Sequence, residues 1–243
     1  MSLLEIRGVR KRFGGVVALD GVDMHIDEGE ILGLVGPNGS GKSTLINILS
    51  AFYPSDEGSI VFEGEDVTEQ AAHRIAALGL ARTYQIPRPF DTMTPRENIA
   101  VSYMFGHSRH SLSEAREAAQ EWLEFTGLDG VADIGIGELT LHQLKFLELA
   151  RSLATQPGLL LLDEVLAGLN PSEMNESVEM IRRIHERGVT ILIVEHVVRA
   201  VMALSDRLVV LDQGRVISEG EPETVMADPV VVAAYLGEKR KGA

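Results

Sequence analysis

The stretch Ile31-Leu32-Gly33-Leu34-Val35-Gly36-Pro37-Asn38-Gly39-Ser40-Gly41-Lys42-Ser43-Thr44 decides the reading of this chain. Its first five residues form a continuous apolar run, the pattern of a strand covered on both faces within a parallel sheet. The glycine-rich segment that follows has the spacing G-x-x-x-x-G-K-[ST], and Leu45-Ile46-Asn47-Ile48-Leu49-Ser50 continues it as a helix. In that context glycines let the backbone wrap closely around a phosphate with its N–H groups pointing inward, and the helix N-terminus adds its dipole. The candidate binding residues are Gly36, Asn38, Gly39, Ser40, Gly41, Lys42, Ser43 and Thr44. Lys42 is placed to reach the β- and γ-phosphates of a nucleotide, and the Ser43 hydroxyl to ligate Mg²⁺. A glycine-rich turn that carries Lys-Ser by chance is the competing reading, and the strand–loop–helix context argues against it.

Working outward, Leu159-Leu160-Leu161-Leu162 is a second buried strand, and it ends in two carboxylates, Asp163 and Glu164. A parallel strand delivers its C-terminal groups to the crevice where the phosphate loop lies. Asp163 is therefore expected to hold Mg²⁺ through water, and Glu164 to polarise the attacking water. Further strands are expected at Ser59 to Phe62, Val189 to Val194 and Arg207 to Leu211, with a hairpin turn at Asp212-Gln213-Gly214-Arg215. Residues 2–27 and 58–64 alternate more, which points to an antiparallel portion beside the parallel core. Between the strands, Thr94 with Pro95 and Glu97, Ser111 with Glu114, and Thr140 with Gln143 are three helix starts. The second of these helices ends at Gly127 and the third near Ala154. The single tryptophan, Trp122, is expected to pack in the core, and the polar tail Glu238 to Ala243 to fray.

The fold class that results is α/β: a nucleotide-binding core with a parallel sheet, an antiparallel β subdomain on the N-terminal side and an inserted helical subdomain. Residues 1–86 and 156–220 are assigned to the core with its β subdomain, 87–155 to the helical insertion, and 221–243 to a C-terminal helical extension. The 243 residues are enough for one large domain that needs no staple. With 36 acidic against 22 basic side chains the net charge is −14, which argues against binding nucleic acid or anionic lipid by bulk charge. The absence of cysteine excludes disulfides, thiolate zinc sites and cysteine nucleophiles. No apolar run approaches the ~18 residues of a membrane span, and the first residues lack a signal-peptide core, so a soluble cytoplasmic protein is expected.

The motifs, taken together, resemble those of the ATP-binding cassette (ABC) ATPases over essentially the whole chain. Gln85, in LARTYQIPRPF, looks like that family's Q-loop glutamine, which contacts the metal and the attacking water. His196, in ILIVEHVVRA, resembles the switch histidine that contacts the γ-phosphate; a helix cap is its plainer reading. Phe13 resembles the aromatic that stacks on adenine, against the alternative of a core phenylalanine. Ala167, Gly168, Leu169 and Asn170 resemble the D-loop, which crosses to a partner subunit. Within the family, GLARTYQIPRPFDTMTPRENI, AGLNPSE, VEHVVRAVMALSDRLVVLDQGRVISEGEP and DPVVVAAYLGE look most like the ATP-binding subunits of branched-chain amino-acid importers.

The resemblance implies ATP and Mg²⁺ as cofactors. It also implies a second ABC ATPase subunit, identical or different, integral membrane permeases and, indirectly, a solute-binding protein. The site would lie at the cytoplasmic face of the membrane. The helical insertion would meet the permease, with Arg88, Pro89 and Phe90 as contact residues. The family's signature, usually LSGGQ, corresponds here to Leu139, Thr140, Leu141, His142 and Gln143, so His142 stands where glycine is usual. Val165 likewise replaces a proline. Thr140 to Gln143 also reads as a plain capping box. Because a signature acts on ATP held by the partner, His142 would leave this chain's own phosphate loop competent and impair the other composite site; alternatively both sites work, with the imidazole accommodated or donating to phosphate. The alternatives are a nucleotide-binding regulatory subunit beside a more active ATPase, an ABC ATPase of a urea, amide or lipid system, and a soluble ABC protein of DNA repair or translation.

Overall fold

A computed structural model describes residues 2–106 and 110–236. The expected fraying of Glu238 to Ala243 lies outside the described residues. The chain begins with β1 (Ser2–Phe13), β2 (Val16–Asp27), β3 (Ile31–Val35), α1 (Lys42–Leu49), β4 (Glu57–Phe62) and β5 (Glu65–Asp66). It continues through α2 (Ala72–Ala77), β6 (Leu80–Arg82), α3 (Pro95–Met104), α4 (Leu112–Thr126), α5 (Leu141–Ala154), β7 (Leu159–Asp163) and α6 (Pro171–Glu186). The last elements are β8 (Thr190–Val194), α7 (Val198–Leu204), β9 (Arg207–Asp212), β10 (Arg215–Gly220), α8 (Pro222–Ala227) and α9 (Pro229–Leu236). Two compact units result, one of residues 1–71 with 190–243 and one of residues 72–189.

In the first unit β3 is flanked by β8 and β9, both parallel to it, and β10 closes the edge antiparallel to β9. All five residues of β3 and all five of β8 are buried, as the unbroken apolar runs require. Each such aliphatic side chain contributes about 1.5–3 kcal/mol over its exposed state, so the phosphate loop leaves one of the most firmly held strands. A separate antiparallel sheet has the order β2-β1-β4-β5. The strands begin two residues earlier than expected at Glu57, and one later at Thr190. The turn at Gln213 and Gly214 is present, with φ 47° and 78°.

In the second unit β6 and β7 pair in parallel, Leu80 to Leu159 and Arg82 to Leu161. The three helix starts are capping boxes in the structure: Thr94, Ser111 and Thr140 each accept from the N–H three residues on, and Glu97, Glu114 and Gln143 reach back. Gly127, in the left-handed region, ends α4. A fourth box, Asn170 with Glu173, opens α6 and was not expected. Trp122 corrects its reading as core. It is only partly buried, packed edge-on to Phe125 at 5.6 Å with the Arg187 guanidinium 5.0 Å over its ring. The two rings form a ledge for Arg183 of α6 and for Arg187 just beyond it, where a cation over an aromatic face is favourable without full burial. Among the described residues no helix is long and apolar enough to cross a membrane.

Candidate functional site

The phosphate loop joins β3 to α1. Its glycines answer first to the protein's own backbone. At Gly36, with φ 150°, a Cβ would lie 2.0 Å from the Leu211 carbonyl oxygen, and at Gly41, with φ 111°, one would lie 2.6 Å from that of Ala18. The β9–β10 turn holds the loop as well, for the Gly214 N–H donates to the Ser40 carbonyl at 2.9 Å. Lys42 is buried, and its ammonium donates to the carbonyls of Gly36 (2.8 Å) and Pro37 (3.0 Å). The lysine thereby closes the curl of the loop with its charge inside. Gly41, the N-cap of α1, supplies no side-chain cap. The first N–H groups of a helix have no partners within it, so the uncapped turn of α1 and the Lys42 ammonium fit a phosphate chain. Asn38, Gly39 and Ser43 are exposed along the loop, with Thr44 half-buried.

Phe13 ends β1 and is 43% exposed, which removes the core reading and leaves a ring available for stacking. Tyr53 meets it edge-on at 5.3 Å, and Lys11 stands 5.6 Å from its centre. His196 is exposed directly after β8 and the buried Glu195. It is not the cap of α7, whose N-cap is Val197. Tyr235, on α9, is a contact the motifs did not disclose. Burial pushes its phenol above the ordinary value, and a hydrogen bond with the Gly36 backbone opposes that. The C-terminal helix therefore reaches the first glycine of the phosphate loop.

In the second unit β7 places Asp163 and Glu164 at its C-terminal end. Asp163 pairs with Arg82 of β6 at 2.8 Å, both side chains buried. Breaking a buried pair of this kind by removing one partner costs about 3–5 kcal/mol, so Arg82 is tied to the carboxylate's charge. Glu164 has φ 52°, the left-handed region that L-residues rarely occupy. Such a conformation costs on the order of 1–3 kcal/mol and persists where the surroundings over-determine it. The Gln85 amide donates to the Glu164 carboxylate. Thr83 splices the two segments, its N–H donating to the Leu161 carbonyl at 3.0 Å and its hydroxyl accepting from the Asp163 N–H at 3.3 Å. Gln85 and Glu164 are thus brought together within the second unit.

The signature segment opens α5. Thr140 and Gln143 are spent on each other as cap and reciprocal cap. Leu141 is half exposed. His142 lies against Phe146, ring centres 4.3 Å apart, and its Nε2 is buried without a hydrogen-bond partner, 3.9 Å from a Glu176 carboxylate oxygen. That separation is too long for a hydrogen bond. The D-loop follows Glu164. Ala167 and Leu169 are partly buried, Gly168 is exposed with φ 76°, and the Asn170 side chain accepts from the N–H groups of Ser172 (2.9 Å) and Glu173 (3.1 Å). Asn170 is therefore engaged as a helix cap. The Ser43 hydroxyl in the first unit and the Asp163 carboxylate in the second are each a hard oxygen donor, of the kind Mg²⁺ takes with phosphate and water.

Comparison with known proteins follows the same lines. Residues 19–167 match the ABC transporter family, and residues 215–240 match the branched-chain amino acid ATP-binding cassette transporter family. The high-affinity branched-chain amino acid transport ATP-binding protein BraF of Pseudomonas aeruginosa is 38% identical over 250 residues, covering 97% of this chain and 98% of its own. The probable branched-chain amino acid transport ATP-binding protein LivG of Archaeoglobus fulgidus is 39% identical over 247 residues, covering 98% and 96%. Among solved structures, an ATP-binding cassette of an ABC transporter in its ADP conformation superposes with a TM-score of 0.89 at 34% identity, covering 98% of this chain and 100% of that one. A nucleotide-free cassette gives 0.87 at 33% identity over the same shares.

Proposed function

We propose, from the premise that this chain belongs to the ATP-binding proteins of ABC transporters and to their branched-chain amino-acid group, that it powers an importer of branched-chain or related amino acids. The protein is an ATPase with the fold of an ABC cassette. The observation that carries the mechanism is the phosphate loop with its buried Lys42, taken with a carboxylate, Glu164, held by Gln85.

In this reading the loop N–H groups and Lys42 bind the β- and γ-phosphates, and adenine stacks on Phe13. Glu164 orients water and accepts its proton as the oxygen attacks the γ-phosphorus. The bond from that phosphorus to the bridging oxygen breaks, and ADP departs with the electron pair. His196 hydrogen-bonds the γ-phosphate. Ser43, Gln85 and Asp163 would hold Mg²⁺, which would neutralise phosphate charge when bound. Residues 1–86 with 156–220 form the core, 87–155 the insertion and 221–243 the extension. Two ATPase subunits close on two ATP molecules and drive permeases fed by a solute-binding protein, so the chain works at the cytoplasmic face of the membrane. Permease contact falls on the insertion. Arg88 and Phe90 are exposed and Pro89 is half-buried, which supports their part in it.

A second reading concerns the other composite site. The half-buried imidazole of His142, with its unpartnered Nε2, supports a degenerate signature, so that a different ATPase subunit completes the pair and one site is weak. The test is turnover of the reconstituted transporter with the phosphate-loop lysine of each ATPase subunit replaced in turn. Lys42→Ala is expected to abolish most hydrolysis, and the partner's equivalent to spare it; unchanged turnover in Lys42→Ala sinks the asymmetric assignment. In the same assay Glu164→Gln should keep ATP binding and lose ~10²–10⁴ in rate. Equal rates would remove Glu164 from the mechanism.

A further inference from the structure

None of the motifs above includes Lys145, in the second turn of α5. It is buried, and its ammonium donates to the backbone carbonyls of Glu164 (3.3 Å), Val165 (2.9 Å) and Ala167. An ammonium offers three donors, and here three carbonyls of one four-residue arc receive them. The arc is unusual in its own right. Glu164 stands at φ 52°, so its carbonyl and side chain point where ordinary strand geometry would not send them. Carbonyl dipoles converging on a point charge form charge-assisted bonds, shorter and stronger than neutral ones. Gln85 fixes the outer end of Glu164, the carboxylate, while Lys145 fixes the inner end, the peptide that sets its direction.

We propose that Lys145 is a positioning residue for ATP hydrolysis. It holds the left-handed backbone at Glu164, and with it the aim of the carboxylate, and it sets the course of residues 165–167 into the D-loop. The proposal rests on the reading of Glu164 as the general base. Its consequence is a mechanical tie, because the helix that begins with Thr140 to Gln143 also carries Lys145. A shift of α5 moves the Glu164 carbonyl with it.

The test uses the reconstituted transporter with four variants of the full chain, Lys145→Met, Lys145→Arg, Glu164→Gln and the Lys145→Met/Glu164→Gln double. Each is measured for kcat, for KM with ATP, for binding of a fluorescent ATP analogue and for thermal midpoint. Lys145→Met is expected to lower kcat by ~10- to 100-fold, the scale of an ångström's misplacement of a reacting group. Nucleotide affinity should be unchanged, Lys145→Arg should recover most of the rate, and the double variant should be no slower than Glu164→Gln. A wild-type kcat in Lys145→Met, even with a lower thermal midpoint, overturns the proposal. So does a double variant slower than Glu164→Gln by the full Lys145→Met factor, since the two residues would then act independently. Wild-type turnover in Glu164→Gln instead removes the base itself, and the two failures are thereby told apart. If Lys145→Met does not fold, Lys145→Gln is read by the same criteria.

Discussion

Glu148 lies on the face of α5 that meets the segment after Gln85. Its carboxylate accepts from Arg151 at 3.1 Å and from the Arg88 N–H at 3.4 Å. Burial pushes its carboxyl above the ordinary carboxylate value, outweighing the opposing pull of Arg151 and of the backbone N–H groups of Arg88 and Tyr84. The folded state therefore binds this proton more tightly than the unfolded one. Stability from the group is complete below its unfolded-state pKa and is lost as pH rises through the raised folded value. Glu148→Gln, which keeps an acceptor and discards the charge, should raise the thermal midpoint at neutral and alkaline pH. The gain should shrink as the wild type protonates on acidification. A gain that is constant with pH would assign the effect to packing. At this scale Lys42, Asp163 and Glu164 could be singled out from the residues themselves, because each sits in a glycine pattern or at a strand end, whereas Gln85 was singled out only by the family resemblance. Arg82, Lys145 and Tyr235 were not, since a charged or aromatic residue inside an ordinary strand or helix carries no local mark of the atom it will meet.

At the scale of elements the helix starts were the clearest text. Thr94 with Glu97 and Thr140 with Gln143 make the same reciprocal bonds, yet only the second lies in the proposed signature. Thr94→Ala and Thr140→Ala should each cost ~1 kcal/mol of stability, the usual worth of a cap, seen as similar losses in chemical denaturation. Thr140→Ala should also slow ATP turnover in the assembled transporter, and Thr94→Ala should not. Equal activity in both variants would leave Thr140 a cap and nothing more. The buried strands were equally plain, because a strand covered on both faces has no polar position to spare. The cap at Asn170 was missed because the D-loop resemblance claimed that residue first. Trp122 was misread because large aromatics are usually buried, whereas here Arg187 covers its face.

Over the whole molecule, the phosphate loop, Phe13 and His196 belong to one compact unit, while Asp163, Glu164, Gln85 and the signature belong to the other. Nucleotide-driven closure of a subunit pair predicts that Glu164→Gln, with ATP and the partner ATPase, accumulates as a dimer in size-exclusion chromatography. With ADP it should not. A monomeric elution in both nucleotides would remove dimer closure from the mechanism. In the proposed assembly the net charge of −14 favours protein–protein docking over charge-driven lipid binding. The order of amino acids alone settled the phosphate loop, the carboxylate-tipped strand and three of the helix starts, because each is written in contacts or spacings a few residues long. Only the tertiary structure decided that Asp163 meets Arg82, 81 positions away, that Gln85 reaches Glu164, 79 positions away, and that Lys145 gathers the carbonyls of Glu164, Val165 and Ala167. Those pairings depend on which strand lies beside which and on how far α5 is rotated about its axis, and neither is encoded within any short stretch of chain.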